Sequence, residues 1–406
     1  MTFLRDLFER WWRPSADASG PPLALLMGMF FTYVGIGMVW SVLTVYATSL
    51  GASAATAGAT ISAFGASRLI VSVPAGLISE RFGRIRVMLV GLILVASASF
   101  IALAVHSMTT LIICLILQGF GSACYGTAAL SALTDRGTPV TRVRDMADYQ
   151  TATQIGLSIG PGLGGLSAAV WGYGTPFACQ GALALIAFLA VMRMPADKIV
   201  KPQREAVIRA RGVFALVAGA YALAYAIFFG RVASSWILMP LIGHEQFGMG
   251  IGTIGALLTA SSIANLVILR VLAWLVRRFG RFSVMIGSVS TILVALAILA
   301  FAVSGWMLWP FTILMGIGMG LTSALVTAYT ADAAPPGRIG AIMGSMRMMT
   351  DLGAITGPIL AGFCVDQPWL GVKGGIGLCA AVLIVTSAIF LATAKGLRRA
   401  TRSSAG

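Results

Sequence analysis

The sequence predicts an all-α polytopic membrane protein, with twelve transmembrane helices arranged as two pseudo-symmetric six-helix bundles. Three observations carry this fold class. First, the 406 residues are 58% hydrophobic and 10% charged, with a mean hydropathy of +0.92. Soluble domains carry roughly a quarter charged residues, so the solvent for this surface is lipid. Second, the apolar runs reach the about 20 residues that a helix needs to cross a bilayer, not the ~10-residue alternation of a membrane β-barrel. Third, Arg81-Phe82-Gly83-Arg84-Ile85-Arg86-Val87-Met88 recurs as Arg278-Phe279-Gly280-Arg281-Phe282-Ser283-Val284-Met285, an offset of 197.

In chain order, residues 1–20 read as a cytoplasmic amphipathic tail. Leu4, Leu7, Phe8 and Trp11 recur at helical spacing, and Asp6, Glu9 and Arg10 interrupt what would be a signal-peptide core. Twelve apolar segments follow, near 22–48, 54–80, 85–105, 108–134, 146–170, 174–193, 213–241, 251–277, 282–304, 306–332, 340–366 and 372–395. Residues 21–193 therefore form the first bundle, 194–212 a cytoplasmic linker, 213–395 the second bundle and 396–406 a cytoplasmic tail. Of the lysines and arginines outside the helices, 23 fall on one side and only Lys373 on the other. By the positive-inside rule both termini are cytoplasmic. The same rule explains the net charge of +15 without any nucleic-acid partner.

The offset of 197 holds without a gap. It maps Gly119 and Gly121 on Gly316 and Gly318, Asp135 on Asp332, and Gly156, Gly160, Pro161 and Gly165 on Gly353, Gly357, Pro358 and Gly362. Six helices per half make the halves parallel repeats about an axis along the membrane normal, with the expected site at mid-membrane between them. Cys114, Cys124, Cys179, Cys364 and Cys379 read as buried thiols, and His106 and His244 have no metal-site spacing. Met343, Met346, Met348 and Met349 read as adaptable packing. No metal and no cofactor are expected.

These residues resemble the major facilitator superfamily from about Pro21 to Lys395. The turn Gly76-Leu77-Ile78-Ser79-Glu80-Arg81-Phe82-Gly83-Arg84 resembles that family's best-known loop motif, with Glu80 where Asp is usual. The run from Gly156 to Gly165, with Gly160, Pro161 and Gly164, resembles the glycine-proline motif of its antiporter branches, particularly the 12-helix drug:proton antiporter-like group. The resemblance implies that Glu80, Arg84 and Asp135 form a cytoplasmic charge network that latches the halves in an outward-open state. It also implies a flexible gate on helix 5. Plain helix packing by small residues is the other reading of that run. Three departures stand out: Arg277 replaces Glu80 in the second half, Leu115 stands where antiporters often place an arginine, and helix 1 has no acid. The last two are positions where the family commonly builds proton coupling.

An ionisable side chain at mid-depth costs a few kcal/mol or more and needs a partner. Arg68 lies 12 residues from Glu80, about 18 Å along a helix, which is the bilayer centre. Asp351, read as the only acid well inside a helix, lies at the same depth on helix 11. It pairs either with Arg68 across the two halves or with Arg347 one turn away. The repeat maps Arg68 on Asn265 and Asp351 on Gln154, giving a neutral amide pair as the pseudo-symmetric mate. Arg231, flanked by Phe228, Phe229 and Trp236, either faces a cavity and attracts carboxylate or phosphate or reaches towards the outer interface. Arg270 lies close enough to the cytoplasm to reach it. Tyr33, Trp40, Gln118, Tyr125, Tyr149 and Gln180 are further candidates for the pocket lining.

The function expected is secondary active transport of a small organic solute by alternating access, with proton-coupled export as the leading reading. The alternative is a uniporter or exchanger of an organic anion held by intramembrane arginines. An enzyme is not supported: there is no Walker loop, His-Glu-x-x-His motif or triad. The expected partners are the solute, protons and lipid, and the expected state is a monomer in the cell inner membrane.

Overall fold

The computed structural model describes residues 23–105, 107–136, 139–194, 211–332 and 339–403. The amphipathic N-terminal tail and most of the linker lie outside the described residues. Helices α1 Leu23–Ser49, α2 Ala54–Phe82, α3 Arg84–Leu103, α4 Met108–Arg136, α5 Pro139–Trp171 and α6 Thr175–Met192 form the first bundle. Helices α7 Arg211–Ala233, α8 Ile251–Phe279, α9 Arg281–Ala300, α10 Leu308–Asp332, α11 Ile339–Asp366 and α12 Gly371–Ser403 form the second. Past Ala233, α7 continues through the π-helical turns Ser234–Leu238 and Ile242–Gln246, with Met239–Leu241 between them. The last helix runs on to Ser403, beyond the apolar segment that was expected to end at Lys395.

Among the described residues, eleven of these helices are long and apolar enough to cross a membrane unaided. The exception is α5, whose Gln154, serines and glycines dilute its apolar residues. It packs along α1 and α8, while Ile159, Leu163, Leu166 and Val170 form an exposed apolar face. It also begins earlier than residue 146, so Asp145 and Asp148 are helical. Asp351 is therefore not the only acid within a helix, and Asp145 is almost fully buried. Helix signals failed here because the polar first turns of α5 lack an apolar period.

The repeat reappears in the backbone. Gly83 (φ 98°) and Gly280 (φ 79°) form the one-residue turns α2–α3 and α8–α9, and Gly51 (φ 83°) mates with Gly248 (φ 60°). A positive φ is open to glycine at little cost, which fixes these residues at the turns. The first pair carries Arg81, Arg84, Arg277, Arg278 and Arg281 around it, and we call this side of the molecule the basic face.

Inside lipid, helices associate through close backbone packing more than through hydrophobic burial. Gly156, Gly160 and Gly164 lie against the backbone of α1, and a Cβ at any of them would meet Phe30, Val34 or Met38 main-chain atoms. Their repeat mates Gly353 and Gly357 meet the backbone of Tyr225 and Phe229 on α7 in the same way. A second set of small residues joins the bundles. A Cβ on Gly165 would lie 2.9 Å from the Cα of Gly255 on α8. Gly58 faces the Pro358 carbonyl and Gly362 faces the Ala54 carbonyl, both across α2 and α11.

All these inter-bundle contacts lie on the far side of the helix midpoints, away from the basic face. Ser62 Oγ donates to the Ile355 carbonyl at 2.5 Å. The Asp366 carboxylate accepts from the Ala54 and Ala55 amides at 3.0 and 2.9 Å, capping the N-terminus of α2 from the other bundle. The Trp40 and Trp236 rings meet edge-on with centroids 3.9 Å apart, and the Thr44 hydroxyl donates to the Trp236 carbonyl. Val232 and Ile237 of α7 join an apolar cluster with Val39, Leu43 and Phe64. The far side is therefore sealed by apolar packing and by a charged cap.

Candidate functional site

Arg68 is the midpoint of α2, Asn265 the midpoint of α8, and Gln154 and Asp351 lie within two residues of the midpoints of α5 and α11. Straight helices spanning one bilayer bring these positions to a common depth. The inter-bundle seal begins just beyond them, so they sit on its inner edge.

Two polar clusters occupy this level. In the first, Arg68 donates to the Tyr33 hydroxyl at 3.3 Å, and Asp351 Oδ1 lies 3.5 Å from Arg347 Nε. Asp351 also acts electrostatically on Arg68, and Arg347 on Tyr33 and Tyr149. Four elements therefore share one field: α1, α2 and α5 from the first bundle and α11 from the second. Of the two partners left open for Asp351, the structure brings Arg347 into contact, through the one-turn spacing of a helix. Arg68 is satisfied by Tyr33 and feels Asp351 at longer range. The side chains of Arg347 and Asp351 are 59% and 34% exposed, so the carboxyl remains accessible to protons.

The second cluster contains the repeat mates. Gln154, Arg231, Asn265, Ser235, Ser261 and Ser262 line a cavity. An adjoining cavity shares Arg231 and the three serines and is also lined by Trp40, Trp236 and Pro161. Ser235 and Trp236 lie in the first π-helical turn of α7. Such turns recur at functional sites because they re-aim side chains and free a carbonyl. Among the described residues Arg231 has neither a hydrogen bond nor an ion pair. Burial alone acts on it, with no carboxylate in reach.

The other predicted lining residues divide. Trp40 lines the cavity. Gln180 instead accepts from Ser99 at 3.0 Å inside the first bundle, and Tyr125 is buried in that bundle's core beside Gly28. Gln118 is buried on α4 with its Nε2 unpartnered among the described residues. Sequence reasoning missed Ser235, Ser261, Ser262 and Asp366. Serines in a membrane helix carry no pattern that separates cavity lining from helix packing. Asp366, however, had a signal: a carboxylate at a helix C-terminus opposes its own helix dipole, so its favourable partner lies elsewhere.

The Major Facilitator Superfamily profile matches residues 25–230 and 217–405. The chain belongs to the Major Facilitator Superfamily. It is a multi-pass membrane transporter, not an enzyme. "Multidrug resistance protein 1" of Bacillus subtilis (strain 168) is 28% identical over 363 residues, 84% of this chain and 89% of that protein. "Quinolone resistance protein NorA" of Staphylococcus aureus (strain N315) is 22% identical over 356 residues, with 84% and 89% coverage. Among solved structures, the nucleoside transporter NupG matches with a TM-score of 0.74 at 17% identity, covering 92% of this chain and 99% of that one. A bacterial homolog of the human lysosomal transporter Spinster also gives 0.74, at 12% identity, with 92% and 96% coverage. At these identities the solved structures speak for the fold.

The superfamily's loop motif has a local geometry here. Glu80 lies 3.9 Å from Arg84, which donates to Ser79 Oγ at 2.6 Å, while Arg81 lies over the Phe82 ring. A Cβ added at Gly76 on α2 would meet the methyl of Thr127 on α4 at ordinary contact distance. Glu80 is thus engaged inside the first bundle, and the side chain of Asp135 lies outside the described residues.

Proposed function

We propose that this superfamily member is a proton-coupled exporter of a small organic solute, with Asp351 as the group that takes up and releases the proton. The basic face is cytoplasmic in this reading, both termini lie there, and the chain works as a monomer in the cell inner membrane. Residues 21–193 and 213–395 are the two rocking units, 194–212 links them, and the tails 1–20 and 396–406 lie outside them.

One observation carries the reading. Asp351 is an accessible carboxylate at mid-depth on the second bundle, and it acts across the interface on Arg68 of the first. Ionised, it neutralises Arg347 and attracts Arg68, which holds α2 to α11. Protonated, it no longer neutralises Arg347, the attraction to Arg68 is lost and the halves are free to move. With the far side sealed, the proton is released towards the basic face and the solute enters from there. The export direction follows from the resemblance to proteins named for multidrug and quinolone resistance.

Purified protein in liposomes with an entrapped pH dye tests this directly. A solute gradient should move protons the opposite way, and Asp351→Asn should abolish proton movement while solute counterflow continues. Solute flux without proton movement in the wild type would contradict the proposal.

A further inference from the structure

We infer that the solute carries a carboxylate on an apolar body, and that Arg231 is the residue that holds the carboxylate. The inference rests on the transporter reading above and adds the chemistry of its cargo. Arg231 is partly buried at the junction of two cavities, with no protein anion in reach. Within a membrane a guanidinium is expensive unless something compensates it. The two clusters at this level show what is missing. In the first, Arg347 has the Asp351 carboxylate beside it and Arg68 has the Tyr33 hydroxyl; in the second, the repeat mate of Asp351 is the neutral Gln154, so Arg231 has no carboxylate. Asp145 and Asp148, the nearest acids along α5, have partners of their own.

The surroundings suit an anion from outside. A guanidinium presents a planar fork of donors that matches a carboxylate bidentately. Ser235, Ser261 and Ser262 add hydroxyl donors, and the amides of Gln154 and Asn265 complete a ring that is rich in donors and has no charge of its own. Opposite them, Trp40, Trp236 and Leu258 offer an apolar wall for the rest of the molecule. A few polar groups beside an apolar wall are the kind of lining that fixes the orientation of a small organic ligand. A cationic solute would meet Arg231, Arg68 and Arg347 with only Asp351 to offset them.

Calorimetric titration of the full-length protein with three probes of one scaffold tests the inference: indoleacetate, indoleacetamide and tryptamine. Indoleacetate should bind at least about tenfold more tightly than the amide, and tryptamine more weakly than either. Arg231→Gln should erase the difference between acid and amide. Gln154→Asp, which supplies the missing carboxylate from the protein itself, should erase it too and should improve tryptamine binding. That second variant stands if the first does not fold. Equal affinities for the three probes in the wild type, no heat with indoleacetate, or a preference that survives both substitutions would overturn the inference. Proton movement in liposomes separates this from the antiport reading. Carboxylate binding without proton flux removes the coupling and keeps the site. Proton flux driven by tryptamine, unaffected by Arg231→Gln, removes the site and keeps the coupling.

Discussion

At the scale of single residues, the first polar cluster is set by which cation lies nearest to Asp351. Arg347, one turn away and 3.5 Å distant, is the cation in contact with it. Arg347→Gln removes the cation in contact with Asp351 and should change the pH dependence of transport. A pH profile in liposomes checks this, and an unchanged midpoint would assign the role to Arg68 instead. Tyr33 has the complementary task of satisfying Arg68 when Asp351 is neutral. How much of the site was legible in the sequence depended on the same local physics. A lone mid-helix acid among apolar residues is visible because it is costly. Which of two arginines it touches depends on rotamers and helix rotation, so both partners stayed open. The joining of Arg231 to Gln154 and Asn265 had no signal, since the repeat mate of Arg231 is Val34.

At the scale of elements, α5 and α11 act as rails with two glycine faces, one fixed to the helix of their own bundle and one meeting the other bundle. Gly164 belongs to the first kind, and a Cβ there would run into the Met38 backbone. Gly164→Val should lower stability by about 1–3 kcal/mol, read as a lower melting temperature in detergent. Gly165 belongs to the second kind, and its replacement should impair transport more than folding. The sequence showed one glycine run, and only the structure separates its faces, because positions 164 and 165 differ by a 100° rotation about the helix. The Asp366 cap on α2 can be tested alone. It joins two charge-assisted hydrogen bonds to a helix N-terminus, about 1–2 kcal/mol together. Asp366→Ala should shift the population towards the far-open state by about tenfold. In a background lacking the five native cysteines, Ser62→Cys, buried between α2 and α11, should then react faster with a membrane-impermeant thiol reagent. An unchanged rate would mean that apolar packing seals the far side by itself.

At the scale of the whole molecule, the repeat was fully legible because each half solves the same packing problem with the same turns, and Gly83 and Gly280 retain it in the backbone. The polar start of α5 was not, because it leaves no apolar period to read. The seal on one side of the midpoints and the polar clusters beside it define a hinge about which the bundles rock. Phe82 and Phe279 are repeat mates at the two arginine-rich turns, both exposed, and their separation reports that motion. With both changed to cysteine on the cysteine-free background and spin-labelled in liposomes, pulsed electron–electron resonance measures the distance between the bundles at the basic face. The account predicts two populations whose ratio changes with pH in the wild type and is independent of pH in Asp351→Asn. A single distance at every pH, or a pH response that persists without the Asp351 carboxylate, would contradict it.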